Sequence, residues 1–140
     1  MKVKKAVSIF VAAMIVASLG IPTIVRAQAT LLSLTVPFDF YFADQKFEAG
    51  DYTIARMGET LRLSNQTGHT AVSLSNAAFV QPQDVHKARV VFNRYGITYF
   101  LSQVQWSDYG SARELPPSSV ELRIAKNLPA IRVIATSTRR

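Results

Sequence analysis

The chain contains no cysteine among its 140 residues. That excludes disulfide staples, thiol catalysis, dithiol redox chemistry and cysteine-based metal sites. It also excludes a bacterial lipoprotein anchor, because that lipid is attached to a cysteine. Histidine is nearly as scarce, with only His69 and His86, and neither has a second histidine at H-x-H or H-x-x-x-H spacing. Both read as solvent-exposed loop residues. The acids Asp39, Asp44, Glu48 and Asp51 lie close together, but they lack the D-x-D-x-D-G order and terminal Glu of a calcium loop. Without a nucleophile beside a base, a carboxylate pair at a readable spacing or a metal cluster, the expectation is a protein that is not an enzyme and carries no metal or cofactor.

Long apolar runs are missing too, apart from one of 14 residues, Ala6 to Leu19. It follows Lys2, Lys4 and Lys5, ends in Gly20 and Pro22, and is followed by Ala27 and Ala29 at the A-x-A spacing. A positive start, a short apolar segment and small residues before a cleavage point are the three parts of an export signal. A membrane span needs about 20 continuous apolar residues, which this run does not reach. Residues 1–29 are therefore read as a signal peptide cut after Ala29. Residues 30–140 are then one exported domain, periplasmic or secreted, with no membrane span after cleavage.

Removing the signal changes the charge. The whole chain is +7 at neutral pH, but Lys2, Lys4, Lys5 and Arg26 supply four positive charges, leaving the 111-residue remainder at +3. Five of its basic residues, Arg123, Lys126, Arg132, Arg139 and Arg140, fall in the last 18 positions. This reads as a solvated end. With no basic helix, finger spacing or RNA-binding sheet motif, nucleic acid is not an expected partner. A remainder of this size can fold around one core without staples.

What the chain has in quantity is short runs of Val, Ile, Thr, Phe and Tyr, punctuated by Gly, Asn, Asp and Pro about every ten residues, the pattern of antiparallel strands. Nine candidates are Leu32–Val36, Phe38–Phe42, Tyr52–Arg56, Thr60–Ser64, Thr70–Leu74, Ala78–Gln81, Ala88–Asn93, Thr98–Gln105 and Ala130–Thr136. Thr60 to Ser64 alternates so that Leu61 and Leu63 face a core and Arg62 faces water. Pro37 cannot donate to a ladder and predicts an edge or bulged strand.

The strongest hairpin runs from Arg89 through Asn93-Arg94-Tyr95-Gly96 to Leu101, with Gly96 supplying the turn. Its period-two spacing offers two registers, Val90, Phe92, Phe100 and Val104 inward, or Val91, Tyr99 and Leu101. Residues 107–118 read as a loop. Over 118–127, Ser118-Ser119-Val120-Glu121 fits a capping box and predicts a short helix, while the alternation Val120 to Ile124 also suits a strand. The fold expected is all-β, an antiparallel sandwich or flattened barrel of seven to nine strands with one short helix near the C-terminus.

Tyr95 and Tyr109 sit beside glycines in expected loops, with Arg94 and Arg113 nearby. Flat rings with polar tips next to guanidinium groups make sugar-stacking and protein-contact surfaces. These four are the candidate binding residues, and an envelope protein or a polysaccharide is the expected partner. The high phenylalanine content suggests an alternative, a carrier holding a small apolar ligand inside a barrel. Asn65-Gln66-Thr67 matches the N-glycosylation pattern and reads as a turn.

The motifs Val36-Pro37-Phe38-Asp39-Phe40, Phe47-Glu48-Ala49-Gly50-Asp51-Tyr52, Val91 to Gly96 with Tyr99-Phe100-Leu101, and Arg113-Glu114-Leu115-Pro116 resemble, in that order, a group of small exported β-rich proteins of acidobacterial type. The resemblance spans most of residues 30–140. It implies export, a β-rich fold and a helix around Arg123 to Lys126, and brings no catalytic residues.

Overall fold

The computed structural model describes residues 30–107 and 111–136; the expected signal segment and its cleavage residues Ala27 and Ala29 lie outside them. Two β-sheets that do not close on each other form a sandwich. The first has the order β1 (Thr30–Val36), β4 (Gly50–Met57), β5 (Thr60–Asn65), β6 (Thr70–Leu74), all antiparallel. The second runs β11 (Ile131–Thr136), β8 (Arg89–Tyr95), β9 (Thr98–Gln105), β10 (Ala112–Glu114), β7 (Asn76–Ala77). Two short strands, β2 (Phe40–Phe42) and β3 (Gln45–Phe47), form a hairpin that joins this second sheet through one parallel contact, Tyr41 opposite Phe100.

The register follows from side-chain alternation. Across the first sheet, Leu32, Ile54, Leu63 and Ala71 stand in one row, all buried and facing the second sheet. Leu61 and Leu63 are fully buried and Arg62 is exposed. β1 pairs with β4 alone and ends immediately before Pro37, so the proline closes an edge strand. The space between the sheets is filled by Phe40, Phe42, Phe47, Tyr52 and Phe92 together with the aliphatic rows. Phe40 lies 5.1 Å from Tyr52 and 5.5 Å from Phe92 edge to face, and 5.8 Å from Phe47. Each such buried ring contributes ~2 kcal/mol by burial, which offsets the absence of disulfides.

Of the phenylalanines that suggested an apolar ligand, Phe40, Phe42, Phe47 and Phe92 are core residues while Phe79 is exposed, and the two sheets do not close into a barrel.

The central hairpin adopts neither uniform register. A bulge between Val91 and Phe92 sets Val91 opposite Gln103 and Phe92 opposite Leu101, leaving Ser102 as the extra residue. Val104 therefore faces the core on one side of the bulge and Leu101 on the other. An inserted residue changes the face presented by everything beyond it. Phe100 is consequently buried on the outer face, where it stacks on Tyr41 at 5.1 Å and meets Tyr95 edge on at 5.8 Å.

The expected helix forms as α1 (Ser119–Ala125), with the Ser118 hydroxyl accepting from the Glu121 amide at 3.2 Å. Among the described residues eleven strands form, where seven to nine were expected. β3, β7 and β10 are two or three residues long, too short to show a period. Residues 78–81 form no strand; they belong to the crossover leading to a 3₁₀ turn at Pro82–Asp84.

Candidate ligand-binding groove

The four residues singled out from the sequence do not converge on an exposed surface among the described residues. β8 continues through Tyr95, and the turn is the two-residue pair Gly96-Ile97, with Gly96 at φ +62° and Ile97 at negative φ. That pattern suits a tight hairpin with glycine first. Tyr95 is therefore a strand residue, buried beneath α1, and its hydroxyl donates to Glu121 Oε1 at 3.1 Å. Burial, the hydrogen bond to Glu121 and its negative charge all push the Tyr95 phenol above its ordinary pKa.

Arg113 is also buried, because residues 112–114 form β10 between β9 and β7 where a loop was expected. Its Nε donates to Ser75 Oγ at 2.9 Å and its Nη2 to the Ser75 carbonyl. Ser75 in turn donates from its amide and its hydroxyl to the Glu59 carbonyl, each at 2.8 Å. Arg113 thus pins the passage from β6 to β7, where the chain crosses between sheets. Arg94 is half-buried on the inner face of β8 opposite Tyr99, and its Nε is buried without a hydrogen-bond partner. Tyr109 lies outside the described residues.

A concave feature lies elsewhere, on the outer face of the first sheet. A groove of about 340 Å³ runs there over β1, β4 and β5 and the start of the loop after β5. Ser33, Thr53 and Ser64 form one cross-strand row of hydroxyl side chains, continued by Thr70 on β6. At the strand spacing of ~4.8 Å, the four strands carry this row over roughly 14 Å. One step along, Thr35 faces Asp51, and the threonine hydroxyl donates to Asp51 Oδ1 at 2.5 Å. Asn65 and Gln66 close the end of the groove.

That end is held rigidly by local chemistry. Asn65 Oδ1 accepts from the Thr67 amide at 3.1 Å, the Thr67 hydroxyl at 2.9 Å and the His69 amide at 2.8 Å. Such side-chain to backbone bonds are why Asn stabilises turns. The glycosylation-like triplet is thus a turn that shapes the groove. The His69 ring stacks on Phe47 at 4.4 Å, fixing the loop against the core, while His86 is exposed.

The groove offers neutral hydroxyl donors and acceptors, two side-chain amides and one carboxylate, on strands that cannot shift without breaking the core. Among the described residues, no three His, Asp or Glu side chains come together as a metal site, and no helix is long and apolar enough to cross a membrane. The signal for the groove was present in the sequence as the off-phase positions of Leu32-Ser33-Leu34-Thr35-Val36, Asp51-Tyr52-Thr53-Ile54 and Leu63-Ser64-Asn65. There small hydroxyls stand where surface strands often carry Lys or Glu. No family model, curated protein or solved structure matches the chain.

Proposed function

We propose that this chain is an exported, non-enzymatic envelope module that binds a polysaccharide along the outer face of its first sheet. The observation that carries the reading is the row Ser33, Thr53, Ser64 with Asp51, Asn65 and Gln66 around one groove. Densely spaced neutral donors and acceptors on a rigid surface match the hydroxyl pattern of a glycan, and a ligand lying across them exchanges ordered water for paired hydrogen bonds. The segment 1–29 supports export, as does the resemblance to small exported proteins of acidobacterial type. The absence of cysteine and the scarcity of histidine in the sequence support binding without turnover.

Affinity electrophoresis in gels containing soluble peptidoglycan fragments or other envelope polysaccharides tests this reading. Retardation of the wild-type protein is expected, and a Thr53→Val, Ser64→Val double variant, which keeps shape and β preference, is expected to lose about tenfold or more in affinity, since unpaired ligand hydroxyls are costly. Equal retardation of both proteins, or none for either, refutes the groove as a glycan site.

A further inference from the structure

β11 is the edge of the second sheet. Among the described residues it pairs only with β8, in a continuous six-residue ladder from Ile131 opposite Arg94 to Thr136 opposite Arg89. β1 comes close to it but is not hydrogen-bonded to it, so among the described residues its outer row of amides and carbonyls has no ladder partner. Proteins normally guard such an edge with a proline, a bulge, a very short strand or a charge standing over it. β7 and β3 are guarded by their length and β1 stops at Pro37, while β6, the other edge of the first sheet, is five residues long and, like β11, carries no proline.

β11 has none of these devices. Its one charged residue, Arg132, reaches back over β8, where Nη2 donates to Gln103 Oε1 on β9 at 3.1 Å. Its charge is therefore drawn away from the edge. Ile131 and Ile134 remain 49% and 55% exposed, a large apolar area for a strand with a bare backbone.

We propose that β11 pairs antiparallel with the β11 of a second copy of this chain, joining the two second sheets into one continuous sheet. A two-fold axis perpendicular to the sheet keeps outer face with outer face, so only registers pairing residues of like parity are allowed. The register with Ile134 opposite its own equivalent sets Arg132 opposite Thr136 and Val133 opposite Ala135. It buries the two isoleucines against each other and keeps the guanidinium groups apart. A second copy fits better than an unrelated strand because one pairing satisfies two identical unguarded edges at once. The groove on the first sheet stays open in this dimer.

The absence of cysteine makes the test clean. Ile134→Cys puts a single thiol at the axis, where cross-strand Cα separations of about 4.5 to 5.5 Å suit a disulfide. Arg62→Cys, exposed on β5 and flanked by β4 and β6 within the other sheet, is the control. The full chain, purified as its host processes it, is expected to double in mass by sedimentation as concentration rises. Ile134→Cys is expected to give covalent dimer on mild oxidation much faster than Arg62→Cys. Ile134→Lys, at a position exposed enough to tolerate the change, is expected to weaken dimerisation about tenfold or more. A monomer at every concentration, equal cross-linking of the two cysteine variants, or undiminished dimerisation of Ile134→Lys overturns the proposal.

Discussion

Glu121 carries a carboxylate only 6% exposed, and the groups that hold it are polar but uncharged: Asn93 Nδ2 and the Tyr95 hydroxyl, each donating to Oε1 at 3.1 Å. Its amide also closes the first turn of α1 on Ser118. In a capping box the Glu side chain turns back to the cap; here it turns down onto the sheet, and the helix is docked by the residue that was expected to cap it. Glu121→Ala leaves the buried Tyr95 hydroxyl and the half-buried Asn93 amide without this acceptor, and a loss of ~2 kcal/mol is expected in urea unfolding. Glu121→Gln keeps one acceptor oxygen and is expected to lose less. If Ala and Gln prove equally stable to wild type, the docking role is wrong. Arg113 is similar in kind: Arg113→Ala removes both bonds to Ser75 at the crossover, and a loss of about 2 to 3 kcal/mol is expected by the same measurement, because these bonds are charge-assisted and buried.

At the scale of elements, the β8–β9 hairpin depends on its turn. Gly96 at φ +62° is in the left-handed region, and a Cβ there would meet Leu128 Cδ1 at an ordinary 3.6 Å. Gly96→Ala is therefore strained by backbone conformation and not by crowding. A loss of ~1 kcal/mol is expected in thermal or urea unfolding; no loss means the turn relaxes to another type. The helix N-terminus makes a matching test, with Ser118→Ala expected to cost ~1 kcal/mol.

The same elements show what periodicity can and cannot reveal. β5 was legible because Thr60 to Ser64 alternates without interruption. β9 was only half legible, because Ser102 is an ordinary residue whose bulge follows from how two strands pair. Tyr95 was read as a turn residue because Gly96 marks a turn without saying on which side of it the strand stops.

For the whole molecule, the buried phenols of Tyr52 and Tyr95 bear on stability at alkaline pH. Tyr52 and Tyr95 both have phenols pushed above the ordinary value of 10.0, Tyr52 by burial and then by the charges of Glu48 and Asp39. Below pH 10 both states hold their protons and the contribution to stability is complete. Above pH 10 the unfolded chain loses phenolic protons that the folded chain keeps, so stability falls until the folded phenols also ionise. Stability measured in urea is expected to be level between neutral pH and about 9 and to decline above 10. Tyr95→Phe removes one ionisable phenol and is expected to flatten that decline; an unchanged slope counts against Tyr95 as a cause.

The sequence alone determined the all-β character, the sites of most strands and the inward rows of the first sheet, and it left the segment after Ser118 open between helix and strand. These depend on local propensity and on alternation within single segments, which are properties of consecutive residues. Tertiary structure decided that the sheets stay open as a sandwich, that Tyr95 and Arg113 are buried, and that the hydroxyls of three separate strands line one groove. It also left β11 as an unguarded edge, by drawing Arg132 across β8 to Gln103. Each of these depends on which strands become neighbours and in what register, and that is settled by long-range packing of the phenylalanine core.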